Sequence, residues 1–191
     1  MGVELIELVD GEIVVRPYRS EDIPALYEAA RESIPELSAW MPWCHPNYSI
    51  DETRSFILSR AEAWARDAEY GFGVFDKKTG RFLGGVGLNF VNRNHQMANL
   101  GYWVRSSETG RGVASNAAKL VAQFGLDRLG FQRIEIIAAT ANVASQRVAE
   151  KTGAVKEAVL RKRLRLHGEP VDGVLYSLVA EDLIQGNLSE T

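Results

Sequence analysis

The chain has 191 residues, 46% of them hydrophobic and 25% charged, ordinary values for one globular domain with a sizeable core. A formal net charge of -3 gives no general attraction to phosphate backbones, so neither nucleic acid nor anionic membrane is an expected partner. The single cysteine, Cys44, rules out an intramolecular disulfide, and no apolar run approaches the roughly 20 residues of a membrane span.

The opening MGVELIELVDGE carries acids where a signal peptide carries positive charge, which favours a cytoplasmic setting. EIVVRPY, residues 12–18, is β-rich and predicts a first strand. Ser20 is the expected N-cap of a helix through SEDIPALYEAARES, with Ile23, Leu26 and Tyr27 at helical spacing. An aromatic loop, LSAWMPWCHPNYS, leads to a second amphipathic helix over residues 51–68, with Phe56, Ile57, Ala61 and Trp64 on one face. From Tyr70 the texture changes to YGFGVFD, RFLGGVGLNFV and QMANLGYWVR, an antiparallel meander.

After the last of these strands comes SSETGRG, then a helix over residues 112–129 in which Ala117, Leu120, Val121 and Phe124 repeat at i, i+3, i+4 and i+7 and Gly130 supplies the stop. A buried strand, FQRIEIIAAT, and a helix capped by Asn142 and ending at Gly153 follow. Two long strands, 155–166 and 171–179, close the chain. No repeat or linker divides residues 1–191, so a single domain is expected, with a mixed, mostly antiparallel α/β sheet flanked by helices.

The turn SSETGRG opens two readings. The first N–H groups of a helix lack internal partners, and the helix dipole favours negative charge there. Gly110 and Gly112 let a ligand approach the backbone, and Arg111 can add a charge-assisted bond. The bland reading is a glycine turn that only starts a helix. Neither a Walker loop nor a complete dinucleotide fingerprint is present, since no Gly-Lys-Ser/Thr follows and Ser115 stands where the third glycine belongs.

Residues 100–154, from LGYWV through GRG and Arg133-Ile134 to the Asn-x-x-Ser and Glu-Lys-x-Gly block, resemble the GNAT superfamily of acyl-CoA-dependent N-acyltransferases. The WMPW loop and the HGEPVD hairpin are similar to the branch of ribosomal-protein-serine and -alanine N-terminal acetyltransferases. The resemblance implies a fold with a splayed strand pair at the cofactor. It also implies that the pantetheine arm of acetyl-CoA pairs with the backbone of Trp103, Val104 and Arg105. The pyrophosphate would sit on Gly110, Arg111, Gly112, Val113, Ala114 and Ser115, with Asn142 beside the cofactor. Thr109 departs from the family's Gln or Arg at the first position of the turn. The acyl donor is the expected cosubstrate, without a metal: His45, His95 and His167 are scattered and unpaired with cysteine.

Amide formation needs a neutral amine, a donor for the oxyanion and a proton for the leaving thiolate. The backbone N–H near Val104 is the implied oxyanion donor, and Ser145 the implied stabiliser of the leaving group, against a bland role packing at a helix start. Many relatives carry a glutamate two residues before Gly-Tyr-Trp, but this chain has Asn99 there. Glu157 matches a glutamate that some relatives use as a base, against a plain surface carboxylate. Tyr102 and His45 are further candidates, and a desolvated amine can lose its proton to water. Acceptor contacts are expected at Trp40, Trp43, His45, Asn99 and Tyr102. Cys44 either packs or forms an acyl intermediate, and packing is the commoner fate of a lone cysteine. Arg161, Arg163 and Arg165 alternate with leucines along one strand, as a solvated face or as a lure for an acidic protein or a phosphate. The implied reaction is acyl transfer from acyl-CoA to a primary amine, on a protein N-terminus or a small molecule, by a monomer or homodimer. The alternative is a non-catalytic acyl-CoA-binding regulatory domain.

Overall fold

The computed structural model describes residues 6–186. Eight strands form one sheet in the order β1-β2-β3-β4-β5-β6-β8-β7. They are β1 (Leu8–Asp10), β2 (Ile13–Pro17), β3 (Tyr70–Asp76), β4 (Phe82–Asn92), β5 (Met97–Val104), β6 (Arg133–Ala139), β7 (Val155–Leu166) and β8 (Glu169–Leu178). Every neighbouring pair is antiparallel except β5 and β6. The helices are α1 (Ile23–Glu32), α2 (Ile34–Leu37), α3 (Ile50–Ala65), α4 (Val113–Arg128), α5 (Val143–Lys151) and α6 (Ala180–Gly186). This is the mixed, mostly antiparallel sheet that the sequence predicts.

Strand alternation divides the central sheet into two unlike faces. Tyr70, Phe72, Val86, Leu88 and Leu100 pack against Ala117, Val121 and Phe124 of α4 in the main core. Trp64 and Phe72, with ring centres 5.2 Å apart, and Phe72 and Phe124, at 5.6 Å, lock this layer edge to face. Each such fully buried ring stabilises the fold by about 1.5–3 kcal/mol. Across the sheet, Leu26, Ala29 and Ala30 of α1 and Ile57 of α3 form a smaller core with Tyr48, Phe75 and Phe82.

Local details depart from the sequence reading at three points. Ser20 does not cap α1: it opens a short 3-10 turn, Ser20–Asp22, and Asp22, at the α1 N-cap, makes no side-chain cap bond there, its carboxylate instead accepting from the Arg19 N–H at 2.8 Å and pairing with Arg16. The buried stripe of α3 is Thr53, Ile57 and Trp64, while Phe56 is 38% exposed and Ala61 faces solvent. In β7 the arginine alternation is broken by a bulge, because Leu160 pairs with Gly173 and Leu164 with Val171. Lys162 occupies it at φ +52, and its N–H donates to Asp172. The short elements β1, α2 and α6 carry too little periodicity to be foreseen.

Candidate active site

Strands β5 and β6 pair at Met97–Arg133, Ala98–Ile134 and Asn99–Glu135, then part. Beyond that point β5 stays with β4 as far as Val104–Gly84, whereas β6 follows β8 as far as Ala139–Gly173. One edge of each strand is therefore left without a strand partner. The Arg105 N–H reaches Leu83 O on the β4 side at 2.8 Å. By alternation, the N–H and C=O groups of Val104, Tyr102 and Leu100 turn the other way, into the opening. Of the three backbone segments expected to meet a pantetheine arm, Val104 faces the opening and Arg105 has its N–H already engaged.

The opening is a cleft of about 160 Å³ lined by Trp40, Met41, Asn99, Tyr102, Asn142 and Ser145 among others. The Asn142 side chain accepts from the Ser145 N–H at 3.0 Å, as a cap on α5. Tyr102 Oη donates to Ser145 O at 2.8 Å and lies 3.1 Å from Ser145 Oγ. Burial pushes the Tyr102 phenol up to about 12, so it carries its proton at neutral pH. Two hydroxyls thus stand together at the wall of the cleft, the Tyr102 proton directed to Ser145 O and the Ser145 hydroxyl beside it.

The turn after β5 ends at the start of α4. Gly110 has φ +77 and Gly112 has φ +79, the left-handed region where a side chain is strained. Among the described residues, no acceptor takes a hydrogen bond from the backbone N–H groups of residues 110–115. Six adjacent donors at a helix N-terminus form a cradle for an anion. Beneath them lies the carboxylate of Glu108, 3% exposed, held by Arg81 at 2.7 Å and by Arg111. Two guanidinium groups against one carboxylate leave the turn with a positive excess. Ser115 Oγ donates back to Gly112 O, and Thr109 Oγ1 to Ser106 O, so neither side chain points a free hydroxyl from the turn.

Arg105 fastens this turn to α1. Its side chain is buried and bonds Glu28 and Glu32, with Nε 2.6 Å from Glu32. The Ser107 N–H also donates to Glu32, and the Ser106 N–H to Ser33 Oγ. The Arg105 hydrogen bond, with those from Ser107, holds the Glu32 carboxyl down at about 2.

Not every expected residue reaches the cleft. Trp43 and the Trp103 ring lie on the other face of the sheet, 5.5 Å apart, where they line a second cavity of about 440 Å³. His45 lines neither cavity and sits 2.9 Å from Glu52. Glu157 also lies outside both. Arg133 binds it through two nitrogens and Ser177 donates to it, which holds its carboxyl at about 2. A carboxylate so acidic is a poor proton acceptor, and its visible job is to tie β6, β7 and β8 together. Cys44 is 1% exposed beside Ala30 O, and burial pushes its thiol up, which suits packing. Arg161, Arg163 and Arg165 are exposed and enter no ion pair among the described residues. No group of three or more potential metal ligands occurs among the described residues, and no helix there is long and apolar enough to cross a membrane.

The family model described as an acetyltransferase (GNAT) domain matches residues 12–155. The chain belongs to the GNAT acetyltransferase family. It is similar to the probable N-acetyltransferase YjcK of Bacillus subtilis, at 31% identity over 71% of this chain and 75% of that one. A Vibrio cholerae structure assigned as a ribosomal-protein-serine acetyltransferase superposes with a TM-score of 0.81 at 29% identity, covering 93% of this chain and 99% of the other. RimL, a ribosomal L7/L12 α-N-protein acetyltransferase solved with coenzyme A, has the same fold, with a TM-score of 0.84 at 20% identity over 93% and 99% of the two chains. This GNAT chain is therefore an acyl-CoA-dependent N-acetyltransferase, with acetyl-CoA as its donor, and the purely regulatory alternative is not favoured.

Proposed function

We propose that the donor lies in the cleft between β5 and β6 and that the acceptor amine reaches it across β5. The observation that carries this reading is the parting of β5 and β6 at Asn99–Glu135, beside a turn with six N–H groups unbonded among the described residues. The pyrophosphate rests on the N–H groups of Gly110, Arg111, Gly112, Val113, Ala114 and Ser115. The amides of the pantetheine arm pair with the free edge of β5, chiefly at Val104 and Tyr102.

The thioester supplies an activated carbonyl, which the neutral amine attacks. A C–N bond forms, the C–S bond breaks, and an N–H of the free β5 edge faces the oxygen that gathers charge. Tyr102 and Ser145 protonate or solvate the departing thiolate. Asn142 positions Ser145 through its backbone. The amine's proton passes to water, since among the described residues no carboxylate lines the cleft and Glu157 is held in its ion pairs. On this reading the rate follows the acceptor's own ionisation, without an added inflection from an enzyme carboxylate.

The likeness to a ribosomal-protein-serine acetyltransferase supports a polypeptide N-terminus as one acceptor source, and a small amine is the other. The enzyme works as one domain in the cytoplasm, where acetyl-CoA is available. Calorimetric titration with acetyl-CoA and thiol release against a panel of amines test the reading. Tight donor binding lost in Gly112→Glu supports it, and donor binding unchanged by that substitution overturns it.

A further inference from the structure

The larger cavity, of about 440 Å³, has a floor without side chains. Gly71 on β3, Gly87 on β4 and Gly101 on β5 are direct cross-strand partners. All three lie on the face opposite α4, and Gly85 follows two residues before Gly87. Rings stand around this floor: Trp43 meets Trp103 at 5.5 Å and Tyr18 meets Phe56 at 5.4 Å.

The glycines are not equivalent. A Cβ at Gly87 would strike Tyr70 O at 2.9 Å, so close backbone approach accounts for that one. Gly101 has neither excuse. Its φ is not left-handed, and an added Cβ would meet only Asn89 Nδ2, at an ordinary 3.5 Å. A glycine inside a strand weakens it. What Gly101 contributes is space, at the one stretch of β5 that borders both the cleft and this cavity.

Two polar atoms also converge on the floor. Tyr18 Oη and Trp103 Nε1 lie 2.5 Å and 2.6 Å from where a Gly85 Cβ would be, and both residues line the cavity. One is an N–H donor and the other a hydroxyl, which together suit an oxygen on a bound ring. At the rim, Glu52 and Glu69 outnumber Arg60, a balance that favours a cationic amine on approach.

We propose that this cavity holds the body of the acceptor: an aromatic ring bearing a hydroxyl or carbonyl oxygen, with Gly101 as the aperture through which its amine meets the thioester. The proposal rests on the donor placement argued above. The volume suits a small molecule or one terminal side chain, as in ordinary ligand pockets of about 300–1,000 Å³. An aryl-alkylamine and a peptide with an aromatic first residue present this same chemistry.

The test compares kcat/KM for tyramine, phenethylamine, a Tyr-first and a Ser-first tetrapeptide, and spermidine, at saturating acetyl-CoA. Tyramine or the Tyr-first peptide should exceed both the Ser-first peptide and spermidine by about tenfold or more, and whichever leads names the source. Tyr18→Phe should shrink the preference for tyramine over phenethylamine several-fold. Gly101→Val should lower turnover of the aromatic acceptors about tenfold more than that of ethanolamine, with the Kd for acetyl-CoA within about twofold. If Gly101→Val does not fold, Gly101→Ala, whose Cβ fits, makes the same comparison with a smaller effect. A best rate with spermidine or the Ser-first peptide, or an equal loss on every acceptor in the Gly101 variants, overturns this proposal and leaves the donor site standing. Absence of acetyl-CoA binding, or binding without turnover on any amine, overturns the parent reading and this one with it.

Discussion

On the α5 side of β5 the molecule presents main chain: free N–H and C=O groups of a strand edge, leading to a row of helix N-terminal donors. On the α1–α3 side of the same strand it presents rings, and glycines where rings are absent. On the placement proposed above, the first region would recognise through groups that every residue has, with specificity lying in backbone path. The second would recognise through side chains contributed by the β2 end, the aromatic loop, α3 and β5. The first should therefore fail when backbone conformation or charge is disturbed, and the second when shape is.

The largest expected effect is on the main-chain region. Gly112→Glu forces a side chain onto φ +79 and sets a carboxylate against the anion cradle. The Kd for acetyl-CoA should rise by about 100-fold or more in calorimetry, with the far-ultraviolet spectrum unchanged. Next is the fastening between the two regions. Arg105→Met removes charge-assisted bonds to Glu28 and Glu32 from a buried site and should destabilise the fold by about 2–3 kcal/mol, a fall in Tm of several degrees by calorimetry. Ser145→Ala should lower kcat about tenfold with little change in KM, because Tyr102 keeps its own hydroxyl beside the cleft.

Smaller is the response to acid. Glu32 and Glu157 are held at about 2 against an ordinary 4.5, and their pairs stabilise the fold fully above that ordinary value. The contribution is lost as pH falls from about 4.5 towards 2. Glu157→Gln should flatten the Tm profile in that window. The smallest effect separates structure from chemistry: the same variant should keep kcat within about twofold at neutral pH, and a hundredfold loss with unchanged KM would restore Glu157 as the base.

Much of the main-chain region was legible in the sequence. GYWV before SSETGRG announces a strand that delivers a glycine turn to a helix, and Asn142 announces the cap that holds Ser145. These are local signals, carried by chain neighbours and by a recognisable family pattern. The direction of individual N–H groups was not legible, since it depends on the pairing of Arg105 with Leu83 in β4. Neither was the fate of Glu157, whose partners Arg133 and Ser177 are brought up by register between strands. The acceptor-side cavity left only a faint trace. YGFG and GGVG carry glycines two apart and LGY adds a third strand's glycine, the mark of a strand face without side chains, yet the rings above it come from distant segments.

The pleat of β5 has a consequence for how such an enzyme changes its diet. Leu100 and Tyr102 look towards α4 and α5, while Gly101 and Trp103 look into the larger cavity. With the acceptor placed in that cavity as proposed, a lineage, or a designer, could rewrite alternate letters of one eight-residue word and redirect what is acetylated without retraining the grip on coenzyme A.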